Sequence, residues 1–264
     1  MASYPVSFPA DKPVLRLDRL QTSPSIYVLH MLSAETPDNR LTVHFLEQWM
    51  EALKFVEKQW DQSDEQKAGA ALVSTGLTDP KAKFYSNGLD FEKVLQDPEF
   101  FDKHLNPVYE KLLTFPIPTV AAIGGHCFAA GFGLVMSHDY RVQNGQKGFL
   151  CMNEIDFGAQ IPPGLYAALN SKNLPSNVMR KMVLEGHRFG AKEAQAERIV
   201  DIISPSADEK VESAPAKTLE TAIELAKNFA KKAGADAYQS NKLVMYAPYL
   251  ATLRERNEDA TARL

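Results

Sequence analysis

The chain has 264 residues, and 29 Lys and Arg against 33 Asp and Glu give a formal charge of −4, with 45% apolar and 23% charged residues. These values exclude disordered, collagen-like and coiled-coil chains. A mildly acidic balance without a basic run leaves no electrostatic footprint for nucleic acid or an anionic membrane. No stretch approaches the roughly 20 uninterrupted apolar residues of a spanning helix, which predicts a soluble protein with no membrane partner. Two cysteines, Cys127 and Cys151, are too few for a disulfide framework and fit a reducing compartment.

Short strand-like runs open the chain at Val14 to Leu17 and Ile26 to Leu29, separated by the turn formers Ser23 and Pro24. Leu46, Trp49, Met50, Leu53 and Val56 then recur on one stripe of an amphipathic helix. A buried strand follows at Ala70 to Val73, ending at Gly76, and a helix-compatible stretch runs from Phe91 to Leu113 until Pro116 and Pro118 close it. Thr119 to Ile123 reads as another buried strand, and Phe132 to Val142 as a helix followed by a strand. Alternation of this kind predicts an α/β architecture with a mostly parallel sheet. From about residue 205 only helix signals remain, with Leu219, Ile223 and Ala226 on one face and a helix-compatible tail from Ala237 to Leu264. The expected division is a core over 1–204 and a helical C-terminal region over 205–264, without internal repeats.

Several familiar motifs fail on inspection. Gly131-Phe132-Gly133 begins like a dinucleotide fingerprint, but Met136 stands where the third glycine belongs. Leu72 to Gly76 lacks the first glycine of a nucleophile elbow. The six histidines never fall at metal-ligand spacing with one another or with the cysteines, so no metal site is expected.

Three segments carry chemistry. Phe84 to Asp90 places Ser86, Asn87 and Gly88 in a loop whose backbone N–H groups can approach a ligand closely. Gly124 to Gly131 is a run of small residues leading into a helix, where unpaired N–H groups favour a developing negative charge. Glu154 stands among Phe149, Met152, Ile155 and Phe157, and such neighbours would desolvate its carboxyl and strengthen it as a base. Singly, each segment reads more readily as a turn, a tight helix–strand contact or a helix-capping glutamate.

Together and in this order they resemble the crotonase superfamily, the enoyl-CoA hydratase/isomerase fold, over about residues 20–205. The resemblance rests on Ser86-Asn87-Gly88-Leu89-Asp90, on Pro118 to Ala122 followed by Gly125 and Ala130-Gly131, on Glu154, and on Met182 to Gly186 with Ile199-Val200-Asp201. It implies a spiral of ββα units with a helical C-terminal region for oligomerisation and active-site cover, and a homotrimer or dimer of trimers. It implies an acyl-CoA thioester as substrate, with coenzyme A a part of that substrate and no separate cofactor. Carried over by position, the oxyanion donors are the Leu89 and Ala130 amides, and Lys83, Ser86, Asn87, Gly88, Asp90 and Gly131 are the substrate-binding set. Phe91, Val94, Ile161 and Leu165 are candidates for the acyl pocket.

One departure from the family pattern bears on the reaction. Family hydratases carry two glutamates, and the first of those positions is Gly133 here, whereas the second is matched by Glu154 after one inserted residue between Asn144 and Lys147. Hydration needs one group to activate water and another to deliver a proton, but moving a double bond needs a single shuttling base. Glu154 alone is similar to the arrangement in 3,2-trans-enoyl-CoA isomerases, and Lys83 to Asp90 with Ser137 to Tyr140 look most like their peroxisomal branch in plants and fungi. The chain's last three residues, Ala262-Arg263-Leu264, are of the same type as the peroxisomal address Ser-Lys-Leu, which points to an import receptor as partner and the peroxisome as location. The alternatives are a hydratase or thioester hydrolase recruiting Asp156, the nearest second carboxylate, and a non-catalytic acyl-CoA-binding or RNA-binding relative.

Overall fold

The structure, a computed structural model, describes residues 3–20, 25–62, 68–94, 96–234 and 237–255. The terminal tripeptide Ala262-Arg263-Leu264 lies outside these residues.

Seven strands form one sheet in the order β1-β2-β3-β4-β6-β8-β10. They are β1 (Val6–Phe8), β2 (Leu15–Leu20), β3 (Ser25–Met31), β4 (Ala70–Thr75), β6 (Thr119–Ile123), β8 (Tyr140–Gln143) and β10 (Ile202–Ile203). Strands β1 to β3 pair antiparallel, and every later neighbour is parallel. The intervening strands β5 (Phe84–Ser86), β7 (His126–Phe128) and β9 (Leu150–Cys151) build a second, three-stranded parallel sheet. From β4 to β10 the chain therefore gives strands alternately to the two sheets, which is the expected spiral of ββα units.

The central strands are apolar throughout because both faces of the large sheet are covered. Ile26, Val28, Ala71, Val73, Val120 and Ala122 alternate towards α8 (Ala214–Ala230), where they meet Ala222, Ala226 and Ala230. Tyr27, Leu29, Leu72, Ala121 and Ile123 face the opposite way, into the main core with Trp49 and Leu53 of α1 (Val43–Asp61). Residue 204 thus marks the end of the strands and not the edge of a core, since α8 completes the sandwich.

The predicted helix over Phe91 to Leu113 is broken. It becomes α2 (Phe91–Val94), a wide turn at Phe101–Leu105 and α3 (Asn106–Leu113). Pro98 lies in the break and has no N–H to donate, whereas Pro107 sits in the first turn of α3, where that N–H is not needed. Downstream come α4 (Ala130–Met136), α5 (Pro163–Asn170), α6 (Ser176–Leu184), α7 (Ala191–Ala196), α9 (Ala237–Met245) and α10 (Ala247–Arg254), the last packed on α5 and α3.

The segment Ser137 to Tyr140 knits these layers together. His138 is fully buried, its Nδ1 donating to the Leu134 carbonyl and its Nε2 accepting from Ser74 Oγ, and burial pushes it down to about 3, so it stays neutral. Asp139 receives the Thr119 amide at 2.9 Å, the Tyr238 hydroxyl at 3.0 Å and Lys242 Nζ at 2.9 Å, which ties α9 to the start of β6. Burial alone would raise the Asp139 carboxyl, but Lys242 and Lys172 more than offset it and hold the group below its ordinary value. Replacing Asp139 by Ala strands the Lys242 ammonium in the interior, so urea unfolding of Asp139→Ala at pH 7 should show a loss of about 3–5 kcal/mol. A folded-state pKa below the unfolded one means that this loss shrinks as pH falls below about 4; an unaltered midpoint at pH 7 would refute the assignment.

Candidate active site

The small sheet creates the site. Because β5, β7 and β9 run parallel, the segments that follow them leave from the same end, as at ligand sites beyond the carboxyl ends of parallel strands. Those segments hold Asn87 to Asp90, Ala129 to Gly131 and Glu154, three positions far apart in the chain.

Close backbone approach sets the first two against each other. Gly88 has φ +80°, and a Cβ on it would lie 2.6 Å from Ala129 Cβ and 3.3 Å from the Ala130 amide nitrogen. A Cβ on Gly131 would lie 2.8 Å from Ser86 Oγ. Only glycine permits either contact. A third segment braces the pair: Asn87 N donates to the Asp38 carbonyl, Leu41 N to the Gly88 carbonyl, Asn39 Nδ2 to the Tyr85 carbonyl and Ser86 Oγ to the Asn39 carbonyl, all at 2.7–3.0 Å. With these bonds made, neither the Leu89 N–H nor the Ala130 N–H has a partner among the described residues. Ala129, just before Ala130, is held at φ +54°, ψ −130°, a conformation that costs an L-residue about 1–3 kcal/mol.

Glu154 opens a 3₁₀ turn, Glu154–Phe157, that Gly158 closes in the left-handed region. Pairing of β9 with β7, extended by the bond from Ala129 N to the Cys151 carbonyl at 2.8 Å, sets this turn beside Ala129. Glu154 is 4% exposed and its Oε2 has no hydrogen-bond partner among the described residues. Loss of hydration raises its pKa to about 7, opposed only by a bond to its own backbone. A carboxyl near 7 is populated in both protonation states at neutral pH, as an acid–base shuttle requires.

Glu154, Leu89 and Asn87 line one cavity of about 190 Å³ with Ala129, Phe91 and Leu165. Of the other substrate-binding candidates, Ser86, Gly88 and Gly131 are buried beneath the loops and shape them. Lys83 and Asp90 do not line the cavity: Lys83 offers its carbonyl to His126 N, and Asp90 pairs with Lys93 at 2.9 Å. Of the acyl-pocket candidates, Phe91 and Leu165 line this cavity, whereas Val94 is core and Ile161 packs on that core. The expected source of desolvation is corrected in part. Met152 is buried and Phe157, itself 52% exposed, lines the cavity, whereas Phe149 and Ile155 are 41% and 46% exposed and do not line it; Leu165 and Pro162 add to its apolar lining. Asp156 is exposed and outside the cavity, so it offers no second carboxylate there. No residue of 205–255 lines it either.

Arg40, Asn153 and Pro162 also line the cavity without having been anticipated. Arg40 reaches it from the bracing segment and is held by Asp38 at 3.2 Å. Nothing in its local sequence marks it, because only the tertiary contact between residues 38–41 and 87–88 brings it there. Among the described residues Glu154 and Arg40 are the cavity's ionisable groups. Position 133 is closed: a Cβ there would meet Leu165 Cδ1 and lie 2.8 Å from Tyr109 Oη.

Comparison with known proteins agrees with this geometry. The model of the enoyl-CoA hydratase/isomerase family matches residues 23–259. Among curated proteins, enoyl-CoA delta isomerase 3 of Arabidopsis thaliana is 30% identical over 74% of this chain and 79% of its own length. The peroxisomal enoyl-CoA delta isomerase 2 of the same plant is 31% identical over 67% and 74%. In fold, an enoyl-CoA hydratase from Mycobacterium marinum superposes with a TM-score of 0.74 at 24% identity, covering 93% of this chain and 97% of that one. Family match, spiral topology and paired loops agree, and the chain belongs to the enoyl-CoA hydratase/isomerase family, the crotonase superfamily of acyl-CoA enzymes.

Proposed function

We propose that this protein moves the double bond of a 3-enoyl-CoA to the trans-2 position. The observation that carries the reading is that Glu154 is the one carboxyl among the described cavity residues. The thioester oxygen accepts from the Leu89 and Ala130 amides, each such donor being worth on the order of 3 kcal/mol of barrier. Glu154, ionised, takes the proton from C2. The electron pair released spreads over C2, C4 and the thioester oxygen as a dienolate, and the two amides hold the charge. Glu154, now neutral, returns the same proton to C4, and C2=C3 forms in conjugation with the carbonyl. Arg40 is permanently cationic and does not compete as a base.

The same reading supplies a setting. The substrate is an acyl-CoA thioester, no further cofactor enters the steps, and the role is in β-oxidation of unsaturated fatty acids. Two relatives are named as peroxisomal, which supports a peroxisomal setting. Exposed Leu184, Val244 and Met245 support assembly into a homotrimer or a dimer of trimers.

Purified enzyme given trans-3-hexenoyl-CoA should yield the conjugated 2-enoyl product, and Glu154→Gln should lower kcat by about 10³-fold. Formation of 3-hydroxyacyl-CoA from trans-2-hexenoyl-CoA at a comparable rate would identify a hydratase instead. Because the free carboxyl must be ionised, kcat/KM should rise with pH and level off above about 7; a limb near 4.5 would contradict the buried base. Holding the carboxyl at about 7 instead of 4.5 also costs the folded state about 3 kcal/mol at pH 8. A folded-state pKa above the unfolded one gives stability that is present below 4.5 and lost as pH rises through 7. Glu154→Gln should therefore unfold at a higher temperature than wild type at pH 8, with the gap closing by pH 4; a lower Tm at pH 8 would rule this out.

A further inference from the structure

Position 133 is more than an absent carboxylate, because its neighbours fill the space where one would stand. Tyr109, on α3, is fully buried, and its hydroxyl donates to the Ala130 carbonyl at 2.6 Å. The same hydroxyl lies 2.8 Å, and its ring carbon Cζ 3.0 Å, from where a Cβ on Gly133 would stand. Leu165 can rotate its terminal methyl away, but a buried ring fixed by a hydrogen bond cannot. Tyr109 thus touches two structures at once: the vacant side-chain position on α4, and the first turn of α4 that presents the Ala130 amide. It also lies close enough to Glu154 for that carboxylate, after burial, to be the next cause raising the phenol's pKa. The hydroxyl therefore stays neutral and remains a donor.

We infer that Tyr109 is the residue that commits this site to isomerisation. Its ring and hydroxyl occupy the place from which a second acid–base group at position 133 would hold water, and its bond to Ala130 positions the oxyanion donor. This inference rests on the isomerase reading above. Hydration adds the oxygen of water to C3 and a proton to C2 of a 2-enoyl thioester, so it requires a water molecule held beside C3. With Tyr109 and Leu165 closing that place, the conjugated product leaves without hydration. Tyr109 acts through Ala130 and through excluded space, so it is a positioning and specificity residue.

Two variants and two substrates separate these roles. Tyr109→Phe keeps the ring and removes the bond to Ala130. On trans-3-hexenoyl-CoA its kcat should fall about fivefold with KM nearly unchanged, and no hydration should appear. Tyr109→Ala combined with Gly133→Glu opens the place and fills it with a carboxyl, and it should form 3-hydroxyhexanoyl-CoA from trans-2-hexenoyl-CoA at least tenfold faster than wild type. Gly133→Glu alone should show no such gain. If circular dichroism shows the double variant unfolded, the smaller pair Tyr109→Ser with Gly133→Asp replaces it, and a raised ratio of hydrated to isomerised product is the expected result. A folded double variant of either pair with the wild-type product ratio overturns the inference, as does a Tyr109→Phe enzyme with wild-type kcat. Failure of wild type to isomerise trans-3-hexenoyl-CoA is a different result, since it removes the proposed function itself.

Discussion

The contact between Gly88 and the Ala129–Ala130 peptide is the constraint on which the site depends. Two amides can share one oxygen only if their backbones come within a few ångströms of each other, and a side chain on Gly88 would hold them apart. The fold meets this need with a sheet of just three short parallel strands. Parallel pairing of β5, β7 and β9 sends the loops that carry the Leu89 and Ala130 amides and the Glu154 turn out of one end, and the segment from Asp38 to Leu41 clamps the first loop with backbone bonds. The rest of the molecule, including the seven-stranded sheet and the helix lying on it, is the frame that keeps this small sheet in register.

Function is installed here at the expense of stability. Ala129 is held in a backbone region that disfavours L-residues, and Glu154 is stripped of water with one oxygen unpartnered. Each costs the folded state on the order of 1–3 kcal/mol, a large share of a typical folding free energy of about 5–15 kcal/mol. The two costs are tolerable because the surrounding layers are closely tied. Neutral His138 links β4 to α4, and Asp139 joins β6 to α9 through the buried Lys242. Strain and desolvation concentrate at Ala129 and Glu154 in the cavity lining, away from the hydrogen-bonded anchors.

Much of this was legible in the sequence for definite reasons. The runs at Ala70 to Val73 and Thr119 to Ile123 are apolar on both faces, which only strands buried on two sides require. Glycines at 88 and 131 beside Ser86 and Ala130 mark close backbone approach, and the family resemblance converts that into two donors and a base. The strands β7 and β9 escaped because two or three residues carry no period. The helix over Phe91 to Leu113 was overextended because its polar, helix-compatible composition runs on through Pro98, where the helix breaks. Lys83 and Asp90 belong to the motif by position, yet neither lines the cavity, and the Asp90 carboxylate pairs with Lys93 instead. Arg40 and Tyr109 were illegible for a common reason: each reaches the site from a distant segment, and only the packed structure shows that Tyr109 closes the space above Gly133.

The central claim is that one shielded carboxyl carries one proton from C2 to C4. The most direct measurement is a single turnover of 2-deuterated trans-3-hexenoyl-CoA in ordinary water, with the label located in the product by mass spectrometry or NMR. The account predicts deuterium at C4 in a substantial fraction of the first product, because Glu154 is almost wholly buried and exchanges slowly with solvent while the dienolate is bound. Product carrying no deuterium at C4 would contradict it, since the proton delivered there would then have come from water or from a second group.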